Sequence, residues 1–157
     1  MKAVGLCLAV LAAAATLTTV AAGEPVATKQ RMAISMKFHA STFVLHPIQQ
    51  GALKLDWGTM TDDAPNAPCR DVIRDGQKVN ICNGSQWTLM AKRGTLTIRT
   101  PQEWVDPGSG GCGVAFGTWK VIRATGEYAG ITGGGRSAYD AHCKKWYARH
   151  EGFLTLP

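Results

Sequence analysis

Apolar side chains recur at every second position in one segment after another, and no window holds the spacing of a helix. Met32, Ile34, Met36 and Phe38 alternate with Ala33, Ser35, Lys37 and His39. Leu53, Leu55 and Trp57 alternate with Lys54, Asp56 and Gly58, and Trp87, Leu89 and Ala91 with Gln86, Thr88 and Met90. Successive side chains of a strand point to opposite faces, so this period builds half-buried strands. After the turn Lys92-Arg93-Gly94, Leu96 and Ile98 oppose Thr97 and Arg99, and Pro101 is read as the stop of that strand. Residues 113–123, 137–140 and 145–154 supply further strands around Gly-rich turns at 126–135. Along 114–123 one face carries Val114, Phe116, Thr118, Lys120 and Ile122, the other Ala115, Gly117, Trp119, Val121 and Arg123. Neither face is plainly polar, so the inward one stays open. With eight or nine strands and 18 glycines for tight corners, the chain is expected to be all-β, a single antiparallel eight-stranded barrel. A sandwich needs the same alternation, but closure removes the exposed edges at which strands aggregate.

The first residues read differently. Lys2 precedes an apolar run from Ala3 to Ala15, and Val20-Ala21-Ala22 offers the small side chains a signal peptidase requires. Residues 1–22 are therefore expected to be a signal peptide, which carries Cys7 away with it. Residues 23–31 are then a flexible mature N-terminus and 32–157 the β-domain. Such a protein is secreted, extracellular or periplasmic, without stable membrane insertion after cleavage. The cleaved chain keeps a formal charge of +5, since only Lys2 is lost from the +6 total. That modest excess favours anionic polymers non-specifically and names no nucleic-acid partner.

Four cysteines remain, Cys69, Cys82, Cys112 and Cys143, and an even number in an oxidising compartment predicts two disulfides. Asp75-Gly76 is a strong hairpin signal, because a type I′ turn needs positive φ at both central residues. Counting outward from that turn, Arg74 faces Gln77, Ile73 faces Lys78, and Cys69 comes to lie opposite Cys82. The pair falls on a non-hydrogen-bonded site, where Cα atoms approach to roughly 4.5 Å, within disulfide reach. Cys69–Cys82 is thus the expected bridge, which leaves Cys112 for Cys143. No Cys-x-x-Cys is present, and neither a metal nor a cofactor is expected.

The run from Phe116 to Gly135, with Thr125-Gly126-Glu127-Tyr128-Ala129-Gly130-Ile131-Thr132-Gly133 at its centre, resembles the strand and Gly-rich turn of the allene oxide cyclase and dirigent-like β-barrel superfamily. The resemblance implies an eight-stranded antiparallel barrel enclosing a cavity for a small hydrophobic molecule. Its plant members cyclise an epoxide or guide phenoxy-radical coupling. Their acidic and basic site residues have no position-by-position match here, so no catalytic residue is carried over.

Chemistry has few footholds in the residues. His39, His46, His142 and His150 stand at no spacing that suits a triad or a zinc site. Polar groups on apolar strands are the natural suspects for a cavity, because burying them is costly unless they serve a site or are paired; these are Asp56, Arg99, Arg123, Glu127 and Arg136. Of the five tryptophans, Trp57, Trp87, Trp104, Trp119 and Trp146, Trp104 beside Val105-Asp106-Pro107 is expected nearest a loop mouth. Candidate ligand-binding residues are therefore Trp57, Trp104, Arg99, Arg123 and Tyr128. The leading expectation is non-catalytic binding of a small hydrophobic ligand. A cyclase or isomerase acting in the same cavity is one alternative. Another is a binder of anionic polymer or envelope glycan through His142–His150, where basic and aromatic residues interleave.

Overall fold

The computed structural model describes residues 27–64, 68–105, 113–142 and 145–157. The segment read as a signal peptide, together with Cys112 and Cys143, lies outside the described residues. Among the described residues there are nine antiparallel strands: β1 Lys29–Lys37, β2 Thr42–Pro47, β3 Asp56–Asp62, β4 Cys69–Arg74, β5 Gln77–Ala91, β6 Gly94–Val105, β7 Gly113–Gly126, β8 Thr132–His142 and β9 Lys145–Thr155. A 3₁₀ turn, Phe38–Ala40, links β1 to β2.

All nine strands belong to one sheet, in the order β3-β2-β1-β9-β8-β7-β6-β5-β4, and β3 also pairs with β5. Eight strands therefore run round in a ring, and β4 stands beside it. The long β5 makes this possible: Gln77–Cys82 pairs with β4, and Trp87–Ala91 pairs with β3. Neighbours in the ring follow one another along the chain except where β3 meets β5, with β4 between them in sequence, and at the seam where β1 meets β9, Lys37 opposite Tyr147 and Lys29 opposite Thr155.

The hairpin register read from Asp75-Gly76 is the one observed. Both residues have positive φ, 50° and 79°, and Cys69 lies opposite Cys82. Their Cα atoms are 4.0 Å apart and the disulfide is formed.

Four readings of the strands need correction. β1 begins at Lys29, inside the stretch expected to be flexible, because Gln30 is buried and held. Pro101 does not stop β6, which runs on to Val105. The register of β5 against β6 shifts between Cys82 and Ser85, and Pro101 has no partner on either side, so its missing N–H costs the ladder nothing. Leu53 and Leu55 precede β3, and the inward residue there is Asp56, 2 % exposed, while Trp57 turns outward. Finally, Gly133–Gly135 is strand rather than turn.

Inside the ring lie Met32, Ile34, Met36, Leu45, Leu89, Leu96, Ile98 and Leu154, all within about 1 % of full burial. On β7 the inward face is the one with Ala115 and Trp119, and Phe116 is exposed. Trp119 lies opposite Gly135, which lies opposite Gly152. A Cβ at Gly135 or Gly152 would meet neighbouring backbone oxygens at 2.0 and 2.1 Å. The two bare positions leave a lane through which the Trp119 indole N–H reaches the Glu151 carbonyl at 3.2 Å.

One end of the ring is closed. Gln30 donates to the carbonyls of Gln49 and Leu53 and accepts from Leu53 N–H, at 3.0, 2.9 and 2.8 Å. This pins the chain between β2 and β3 across the opening. The turn from β7 to β8 packs Tyr128 and Ile131 under the same end, and the Tyr128 hydroxyl donates to Asp56 at 2.6 Å.

Candidate functional site

The opposite end is open and holds a pocket of about 400 Å³, within the range of roughly 300–1,000 Å³ usual for small-molecule sites. Its walls come from six strands, β3, β4, β5, β6, β8 and β9, and the turn after β1. Phe38 stands at the end of β1, where alternation has brought an apolar ring to the mouth. Trp87 is on β5, Trp104 near the end of β6, Tyr139 on β8 and Trp146 at the start of β9. Asp62, at the last position of β3, is the one charged residue of the lining among the described residues, and the Cys69–Cys82 disulfide forms part of a wall.

The rings touch in sequence around the pocket. Phe38 meets Trp87 edge-on at 4.9 Å and stacks on Tyr139 at 6.1 Å. Trp104 lies 6.1 Å from Tyr139 and 5.1 Å from Trp146. Aromatic pairs at these separations hold one another in fixed orientations, so the wall is formed before any ligand arrives.

Three residues of this lining carry a buried polar atom without a hydrogen bond: Trp87 Nε1, Gln102 Oε1 and the Tyr139 hydroxyl. The hydroxyls of Thr100 and Ser137 lie toward the Tyr139 phenol without reaching hydrogen-bond geometry. Burial, partly offset by those two hydroxyls, raises the phenol well above its ordinary range, so it stays protonated. An unpaired buried polar group costs roughly 1–3 kcal/mol. Among the described residues no other buried side chains carry one, so the deficit is concentrated where the ring opens.

Below Tyr139 lies His150, fully buried, its ring edge-on to the tyrosine at 5.5 Å. Its Nδ1 is 2.7 Å from Ser137 Oγ and its Nε2 3.0 Å from Met36 Sδ. Sulfur has no proton to offer, so Nε2 carries the hydrogen and Nδ1 accepts from the serine hydroxyl. Burial pushes the imidazole down to about 3. The pair resembles a nucleophile and its base, but no carboxylate orients the histidine and Ser137 is only 4 % exposed. Its evident role is to satisfy polar groups inside the ring.

A wider groove of about 910 Å³ runs over the outer face of β5 to β9, past Phe116, Arg136 and Arg149. Its charges are largely spent on one another: Arg149 contacts Glu151 at 2.6 Å and Arg74 contacts Glu103 at 2.6 Å. The groove is open and shallow, and the smaller, walled pocket is the better site.

Of the residues singled out from the sequence, Trp104 lines the pocket. Trp57 is half exposed on the outer face with Lys92 Nζ 4.7 Å above its ring. Arg99 reaches the Asn83 carbonyl at 3.4 Å on the outside, and Arg123 is exposed. Tyr128 is buried at the closed end against Asp56. Burial pushes the Asp56 carboxyl up, but hydrogen bonds from Tyr128 and from the Trp57 and Arg93 N–H groups outweigh it and hold it below the usual carboxylate range. Phe38, Asp62, Gln102 and Tyr139 were not expected in a site. Trp146 belongs to the basic and aromatic run His142–His150, whereas Trp87 has no sequence signal beyond its place among the five tryptophans. Along β9, Trp146 turns to the pocket while Lys145, Tyr147 and Arg149 turn away, which splits the basic and aromatic run between two faces.

Among the described residues no cluster of three or more His, Cys, Asp or Glu is placed to hold a metal ion. No protein-family model, curated protein or solved structure matches the chain.

Proposed function

We propose that the protein is a secreted eight-stranded β-barrel that binds a small, ring-containing molecule in the aromatic pocket at its open end, without transforming it. The observation that carries this reading is the coincidence of five aromatic rings with the three unpaired buried polar atoms. A molecule seated there would bury apolar surface against the rings and offer partners to the indole N–H, the amide oxygen and the phenol. The resemblance of residues 116–135 to the allene oxide cyclase and dirigent-like superfamily supports the same reading, since cavities for small hydrophobic molecules belong to that fold. The leader-like N-terminus supports export, and Gly23 at the start of the mature chain is the outcome N-terminal sequencing should give.

Native mass spectrometry of the protein from its own host is the direct test. A retained species of small mass, lost in Trp104→Ala, supports the reading. An empty spectrum, together with no binding of a polarity-sensitive fluorophore that Trp104→Ala would abolish, overturns it. The alternative reading, a binder of anionic polymer through the basic stretch His142–His150, predicts retention on heparin that falls steeply with salt. The pairing of Arg149 with Glu151 counts against it.

A further inference from the structure

Asp62 sets the pocket apart from a merely apolar one. Among the described residues it is the only formally charged one in a lining with five aromatic rings. Its Oδ1 accepts from the Ala64 N–H at 3.0 Å, and among the described residues no lysine or arginine pairs with it. Burial, reinforced by the neighbouring Asp63 carboxylate, pushes its carboxyl up against the pull of that one hydrogen bond. The carboxylate thus stands partly dehydrated and, among the described residues, without a counter-charge, in a lining of five rings with Ser85, Gln102 and the Cys69–Cys82 disulfide.

An aromatic ring carries negative potential over its face, and a cation held within about 6 Å of a ring centroid is attracted to it, more so when water is excluded. Where ring faces border the carboxylate, the site therefore favours positive charge. From this juxtaposition of Asp62 with Phe38, Trp87, Trp104, Tyr139 and Trp146 we infer that the ligand is a small organic cation, an alkylated or aromatic ammonium. The inference rests on the pocket being a ligand site at all. The overall formal charge of +6 opposes a cation only weakly here, because exposed charges are screened beyond about 8 Å at physiological salt. The nearest opposing features are local: Trp87 Nε1–H and the Tyr139 hydroxyl would still need acceptors, and an ammonium ligand bearing a carbonyl or hydroxyl oxygen supplies them. That addition defines the class further, as a cation with an oxygen a few bonds away.

The test compares phenyltrimethylammonium with tert-butylbenzene, its neutral isostere in which carbon replaces nitrogen. Both are titrated calorimetrically into the full mature protein at pH 7, with tryptophan fluorescence recorded in parallel. Binding of the cation at least tenfold tighter than the isostere is the expected result. In Asp62→Asn that preference should fall to threefold or less while the isostere's own affinity holds. Asp62 is only half-buried, and an unchanged urea midpoint for the variant separates loss of charge from loss of fold. Equal or tighter binding of the isostere to the native protein overturns the cation and leaves the pocket standing as an apolar site. A preference that survives Asp62→Asn unchanged overturns the role of the carboxylate. If neither compound binds and the polarity-sensitive fluorophore does not bind either, the pocket itself is no site and both readings fall together.

Discussion

At the scale of single residues, the interior shows how a small ring tolerates polar groups and where it does not. His150 is neutral because no acid faces it and no water reaches it. Its folded-state value of about 3 lies far below the ordinary 6.5, so the unfolded chain takes up the proton first. Stability is therefore complete above about pH 6.5 and drains away as pH falls from there toward 3. Between pH 7.5 and 5.5 the urea-unfolding free energy should drop by about 1.4 kcal/mol. His150→Gln keeps a partner for Ser137 and should abolish that drop, although it starts from a lower stability. Carboxylates such as Asp56, held below their usual range, add their own loss at lower pH, and the window above pH 5.5 keeps the two apart. Tyr128→Phe removes the hydroxyl that donates to buried Asp56 at 2.6 Å, and should cost about 2 kcal/mol in equilibrium unfolding, the range for bonds to a charged group. It should leave ligand binding at the far end unchanged.

Among the elements, β4 is the one outside the ring, tied to β5 by its turn and by Cys69–Cys82. Replacing both cysteines with serine should free the amides of β4 and of Gln77–Cys82 to exchange with solvent, while those of β1, β8 and β9 stay protected. Hydrogen-exchange NMR distinguishes this from uniform loosening. The same variant should weaken the ligand, since the disulfide lines the pocket. Gly152→Val should prevent folding outright, as its Cβ would fall 2.1 Å from the Gly134 carbonyl oxygen; circular dichroism of the secreted variant checks it. Much at this level was legible in the sequence. The alternation of β1, of the second half of β5 and of the start of β6 placed the core-facing residues correctly, and Asp75-Gly76 set a register that carried two cysteines together. The failures were non-local. Asp56 points inward because a tyrosine hydroxyl arrives from the turn between β7 and β8, and Pro101 sits within a strand because a register shift in β5 stands beside it. The pocket was hardest to see, since Phe38, Asp62, Trp87, Tyr139 and Trp146 come from separate strands and turns. Nothing in the spacing of any one of them signals that the ring will gather them at one mouth.

For the whole molecule, the decisive contact is the seam between β1 and β9, which pairs nine residues of each strand and leaves Leu156 N–H on the Thr28 carbonyl at 3.0 Å. The other neighbours in the ring are consecutive strands, except β3 and β5, which meet across the β4 hairpin. The seam instead joins the first and last of the described strands, which are far apart along the chain. A chain ended at His142 should leave β1 and β8 with bare edges, and sedimentation should find it in large assemblies rather than as monomer. The same adjacency means that the two ends of the described chain are neighbours in space. The molecule has in effect no fixed beginning: a short linker from Pro157 back to Thr28, with a cut between Asp75 and Gly76, would give a rearranged chain whose every strand keeps its neighbours.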